Sequence, residues 1–139
     1  MDGFNKLIVL LMAIEGKAKD IHYTCSGANF YGNHLFADRI ADGISDFIDQ
    51  IKETCLLGKG DKPLLASEYY ALASKIYEQD NRLINNEPTF MSMYNLILAC
   101  LVHIEEIRDV SRGDNKLLDD IASKLQNNKG FIKIMIEDV

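Results

Sequence analysis

Apolar residues along this chain recur at three- and four-residue intervals, the period of helices with one buried face. From Phe4 to about Thr24 they fall at Phe4, Leu7, Leu11, Ile14, Ala18, Ile21 and Cys25. Ser26-Gly27-Ala28-Asn29 closes this first helix, with Gly27 free to take a positive φ. A second, longer helix is predicted from about Ala28 to Leu57. Its core stripe is Phe30, Ala37, Ile40, Ile44, Phe47, Ile48, Ile51 and Cys55. Gly43 is carried inside it at a cost of about 1 kcal/mol, and the helix stops near Gly58-Lys59-Gly60-Asp61-Lys62-Pro63. A shorter helix runs from about Ala66 to Glu78, with Ser67 or Leu65 near its start and Tyr69, Leu72, Ala73 and Ile76 on one face. Asn85-Asn86-Glu87-Pro88 reads as a start signal, an Asn cap with Pro in the first turn. The helix it opens reaches about Ser111 and carries Met91, Tyr94, Leu98, Leu101, Val102 and Ile104. Arg112-Gly113-Asp114 interrupts the chain, and Asp114 is placed to cap a last helix with Leu117, Leu118, Ile121, Leu125, Phe131, Ile132 and Met135. There is no β-alternation, repeat or low-complexity linker. The pattern predicts an all-α, single domain over residues 1–139, with four substantial helices and a short one between the second and third.

The polar positions of the second helix carry the candidate chemistry. His34 and Asp38 are one turn apart, and so are Asp49 and Glu53. On a straight helix all four side chains share a stripe roughly 100° wide. The two pairs are centred fifteen residues apart, roughly 22 Å along the axis. Metal–ligand bonds are near 2 Å, so no single ion touches both pairs of one chain. An antiparallel copy related by a two-fold axis brings the first pair of one chain opposite the second pair of its mate, giving two equal sites. Ala41 and Ser45 between the pairs are small enough for close approach. The same stripe is also what a solvated helix face looks like, and spacing alone leaves both readings open.

Composition narrows the partners. Lys and Arg number 15 against 21 Asp and Glu, a net charge of −6. This disfavours nucleic acid and anionic membranes, which need clustered cations, and suits attraction of cations. Cys25, Cys55 and Cys100 are odd in number, without CxxC spacing, and read as reduced, mostly buried thiols of a cytoplasmic protein with no zinc site. Leu7–Ile14 is apolar but far short of the ~20 residues that span a bilayer, and its flank is not net positive. It reads as a buried helix rather than a signal peptide.

A long crossover between the second and third helices is the arrangement of ferritin-like four-helix bundles. Those bundles usually hold two metals within one subunit through Glu-x-x-His motifs. Here the residues three before each histidine are Lys19, Tyr31 and Cys100, so an internal site of that type is not expected. HYTCSGANFYGNHLFAD instead resembles the signature of the Dps family, the miniferritins. His22, His34, Asp38, Asp49 and Glu53 reproduce the family's ligand intervals of 12, 4, 11 and 4. Ser67-Glu68-Tyr69 is similar to the start of the family's crossover helix, and Gly113-Asp114 with LLDDIASKLQNNKGFIKIMIED to its last helix. Tyr23 and Phe131 stand where the family commonly has Trp, and the region around Asp114 is slightly shorter.

The resemblance implies a dodecameric shell that oxidises Fe²⁺, typically with hydrogen peroxide, and stores ferric mineral. It places His22, His34 and Asp38 of one subunit with Asp49 and Glu53 of its mate around iron. Asp38 and Glu53 are then the main carboxylates. Asp114, Asp119 and Asp120 are candidates for the acidic entry pore. The Lys-rich arm that lets some members bind DNA has no counterpart before the first helix, so DNA binding is expected to be weak or absent. The alternative is a Dps-like cage with little ferroxidase activity, acting as a structural or DNA-protecting protein. His103, amid Leu101, Val102 and Ile104, reads as a hydrogen-bonded structural histidine. Tyr69, Tyr70, Tyr77 and Tyr94 read as packing, and Asp42, Asp46, Glu105 and Glu106 as solvated or cavity-facing acids.

Overall fold

A computed structural model of the chain describes residues 2–81 and 89–137. Among these residues the chain is entirely helical, in loops or in turns. The Asn85–Pro88 start signal lies outside them.

Helix α1 (Gly3–Thr24) is the central rod. Asp2 caps it, accepting from the N–H groups of Phe4 and Asn5 at 2.9 Å each, which satisfies donors that a helix start leaves open. Leu7, Ile8, Val9, Leu11, Ile14 and Ala18 are wholly buried. Burial on more than one side fits a helix that packs against α2 (Phe30–Ala41), α4 (Ala66–Asn81) and α5 (Phe90–Glu106) at once. Gly27, at φ 95°, makes the turn into α2 as the sequence indicated.

The long second helix does not form as one rod. It divides into α2 and α3 (Ile44–Gln50), and α3 runs on as a π-helical segment, Ile51–Leu56, and a 3₁₀ turn, Leu57–Lys59. The division is at Asp42, whose backbone is extended (φ −61°, ψ 132°), and Gly43, which takes φ 81°. That left-handed conformation is open to glycine and strained for other L-residues. The expected core stripe survives the break: Ala37, Ile40, Ile44, Ile51 and Cys55 are buried, whereas Phe30 is exposed.

The crossover is anchored by a buried polar relay. Tyr69 Oη donates to Asn5 Oδ1 at 2.5 Å and accepts the Leu64 N–H at 3.0 Å, while Asn5 Nδ2 donates to Asp2 Oδ2 at 2.6 Å. The start of α4 is thereby tied to the start of α1.

Thr89 and Ser92 form a reciprocal capping box at the start of α5. Helix α5 ends at Glu106, short of the expected Ser111, and its buried face is Met93, Leu96, Ile97, Cys100 and Ile104; Met91, Leu98 and Val102 are exposed. His103 Nε2 donates to the Gly3 carbonyl at 2.8 Å, the structural role expected of it.

Helix α6 (Arg112–Glu137) packs on α5 and on the π-helical segment. Ser111, not Asp114, takes the capping position, its Oγ accepting the Asp114 N–H at 3.2 Å. All three cysteines are free thiols, and among the described residues no helix is long and apolar enough to cross a membrane.

Candidate functional site

The turn at residues 25–29 folds the end of α1 back beside the start of α2. His22, in the last turn of α1, therefore meets His34, in the second turn of α2. Their rings stack with centroids 3.7 Å apart and planes inclined by 14°. His22 Nδ1 lies 2.7 Å from the His34 carbonyl, and His34 Nδ1 lies 2.6 Å from the His22 carbonyl. A carbonyl only accepts, so each Nδ1 carries a proton and donates it, and the free lone pair of the neutral form of either ring sits on Nε2. This is how ligating histidines are commonly oriented. The stack continues outward: Phe30 lies against His34 at 5.1 Å and Tyr23 meets His22 edge-on at 4.9 Å.

Asp38 follows one turn after His34 and is exposed. Lys19, one turn before His22 on α1, donates to Asp38 Oδ1 at 3.1 Å. That hydrogen bond and the attraction behind it hold the Asp38 carboxyl below its ordinary range, with smaller contributions from His22 and His34, and raise the Lys19 ammonium. Asp38 thus lies within electrostatic reach of both imidazoles, with a lysine already engaging its carboxylate.

Asp49 and Glu53 lie beyond the break. Asp49 is in the last turn of α3, Glu53 sits in the π-helical segment, and both are exposed. Four residues are slightly less than one turn of π-helix, so the two carboxylates stay neighbours along the axis. Among the described residues, no three His, Cys, Asp or Glu side chains of one protomer converge on a common ion. The structure thus brings His22, His34 and Asp38 near one another and keeps Asp49 and Glu53 as a separate pair.

No protein-family model matches the chain, and no curated protein matches it either.

The geometry limits what the histidines can bind. A metal lies near the plane of a ligating imidazole, about 2 Å from nitrogen. Two nearly parallel rings 3.7 Å apart cannot both direct in-plane lone pairs at one ion. As they stand, the two Nε2 atoms cannot share a single ion. The two aromatic side chains against the pair are exposed, Tyr23 at 74% and Phe30 at 41%, and their chain neighbours Tyr31 and Leu35 are exposed as well. Large apolar residues rimming a polar cluster are typical of a protein contact.

Of the other acids, Asp114 is buried rather than open to a pore. It is ion-paired with Lys59. Asp119 and Asp120 are exposed, Asp120 beside Lys116 at 3.3 Å. Asp42, Asp46, Glu105 and Glu106 are exposed as well. Sequence reasoning missed the grip of Lys19 on Asp38. Its only trace was the position of Lys19 one helical turn before His22.

Proposed function

We propose that this chain is the subunit of a ferritin-like, Dps-type cage that oxidises Fe²⁺ at sites shared between two subunits and stores the ferric product. The observation that carries the proposal is the reciprocal His22–His34 pair, each ring fixed through Nδ1 with its Nε2 free, beside the Asp38 carboxylate. Two neutral imidazoles and a carboxylate are half of a donor set suited to iron. Asp49 and Glu53 from a second copy supply the other half, and their negative charge favours the ferric state. One Fe²⁺ per imidazole puts two ions within reach of one peroxide molecule. The peroxide takes an electron from each ion, its O–O bond breaks, and with two protons it leaves as water. The exposed apolar rim of Tyr23, Phe30, Tyr31 and Leu35 supports burial of this face against a second subunit. The net charge of −6 supports cations rather than DNA as cargo.

The Lys19–Asp38 ion pair favours the second reading, an assembled cage with little oxidation, because the ammonium occupies a carboxylate that iron would need. One experiment separates them. Size-exclusion chromatography with light scattering gives the mass, and Fe²⁺-dependent peroxide consumption is followed on the same peak. A mass near twelve subunits with consumption that Asp38→Ala or Glu53→Ala reduces by at least about a hundredfold, the upper end of what losing a mere supporting partner of a ligand costs, supports the oxidising cage. Assembly without consumption in the parent supports the inert one. Unchanged consumption in both variants removes these residues from the reaction.

A further inference from the structure

The ligand-bearing strip of chain is broken in the middle, and α6 grips the break. In a continuous helix the Arg39 carbonyl would accept the N–H of Gly43. The chain leaves the helix at Asp42, so that carbonyl loses its partner. Lys124 of α6 replaces it: Nζ donates to the Arg39 carbonyl at 3.0 Å. The Arg39 guanidinium lies 5.6 Å from the ring centre of Phe131, two turns further along α6. Residue 39 is therefore held at both its backbone and its side chain by one neighbouring helix. Asp38 is the residue before it, and its own carbonyl accepts the last helical N–H, from Asp42, at 3.0 Å. A cation on the final carbonyls also suits the negative end of the helix dipole. Half-burial disfavours charge on Lys124, while Asp42 nearby favours it.

The geometry points to Lys124 as a positioning residue for the metal site: by clamping the C-terminal end of α2 onto α6, it sets where Asp38 stands relative to the Asp49–Glu53 arm beyond the break. This rests on the shared metal site proposed above. Lys124 touches neither metal nor ligand side chain and acts through the backbone next to Asp38.

The test uses the full-length assembled chain and Co²⁺ as the probe, read through its visible d–d absorption. Lys124→Met keeps the aliphatic stem and loses the donor. It is expected to assemble, to bind Co²⁺ about tenfold more weakly, as when a group that orients a ligand is lost, and to shift the d–d band. Lys124→Arg restores a donor and is expected to recover most of the affinity. Should Lys124→Met not assemble, Lys124→Gln, too short to reach the carbonyl, replaces it with the same expectation. Tyr69→Phe loosens the fold at a distance and keeps parental affinity if the effect of Lys124 is specific. Parental Co²⁺ binding in the Lys124 variants, no recovery with Arg, or equal weakening in Tyr69→Phe overturns the inference. His34→Ala and Asp38→Ala locate the failure. If they too bind Co²⁺ like the parent, the metal site itself is wrong and both claims fall. If they lose binding while Lys124→Met does not, only the positioning role falls.

Discussion

At the scale of single residues, the hold of Lys19 on Asp38 decides how readily the proposed metal site could take an ion. Lys19 stabilises the carboxylate and lowers its pKa below the ordinary range, so under the proposal a divalent ion would compete there with an ammonium and not with a proton. Lys19→Met is therefore expected to tighten Co²⁺ binding by roughly two- to fivefold, the range expected for removing an exposed pair. Isothermal titration at neutral pH measures this; weaker binding would mean that Lys19 assists the site instead. Asp114 behaves differently. Burial alone would raise its carboxyl, but Lys59, the Cys55 thiol and a backbone contact with Ser111 outweigh burial and bring it below the usual 3.8. A depressed folded-state pKa stabilises above the unfolded value and loses that contribution as pH falls through the folded one. Lys59→Met leaves the buried carboxylate unpaired and is expected to cost about 1–3 kcal/mol at pH 7. The figure stays modest because Lys59 is 37% exposed. Urea melts should show the gap between parent and variant closing as pH falls below the ordinary carboxylate range and Asp114 takes up its proton. The five spaced ligand candidates were legible in the sequence because intervals survive without a structure. The Lys59–Asp114 pair was not, because its members are 55 positions apart and nothing local announces the contact.

At the scale of elements, helix existence was readable and helix continuity was not. The first helix, the Gly27 turn and the crossover helix formed where apolar spacing and turn residues put them. The break at Asp42–Gly43 was read as a tolerated glycine, although an Asp-Gly pair is itself a turn signal. The apolar period runs unbroken through both halves, so periodicity could not reveal the change of direction. Gly43→Ala is expected to destabilise by about 1–2 kcal/mol, the cost of left-handed backbone for a residue with Cβ, since no neighbouring atom crowds the position. Thermal denaturation checks this; an unchanged or higher melting temperature would mean that the chain straightens readily into one helix. The buried face of α5 was also misjudged. That helix is apolar around much of its circumference, with Met91, Leu98 and Val102 exposed and Met93, Leu96 and Ile97 buried. A helix so evenly apolar does not declare its inner side, and its packing against α1 and α6 decides it.

At the scale of the whole molecule, the five candidate residues of one protomer do not converge on a common point among the described residues, and large apolar side chains near His22 and His34 are exposed. The all-helical character was legible because every segment pointed to helix. The proposed assembly was suggested only by spacing and resemblance, since nothing in a single chain's pattern reports on its neighbours. Complementation tests the shared site directly. One variant carries His34→Ala with Asp38→Ala, the other Asp49→Ala with Glu53→Ala, and each alone is expected to be inactive in Fe²⁺-dependent peroxide consumption. Unfolded together and refolded as mixed assemblies, half of the two-fold pairs contain both variants, and each such pair has one site built from two intact halves. About a quarter of the parental sites should then return, and consumption with them. Mixed assemblies of the right mass that remain as inactive as either variant alone would contradict a site shared between subunits.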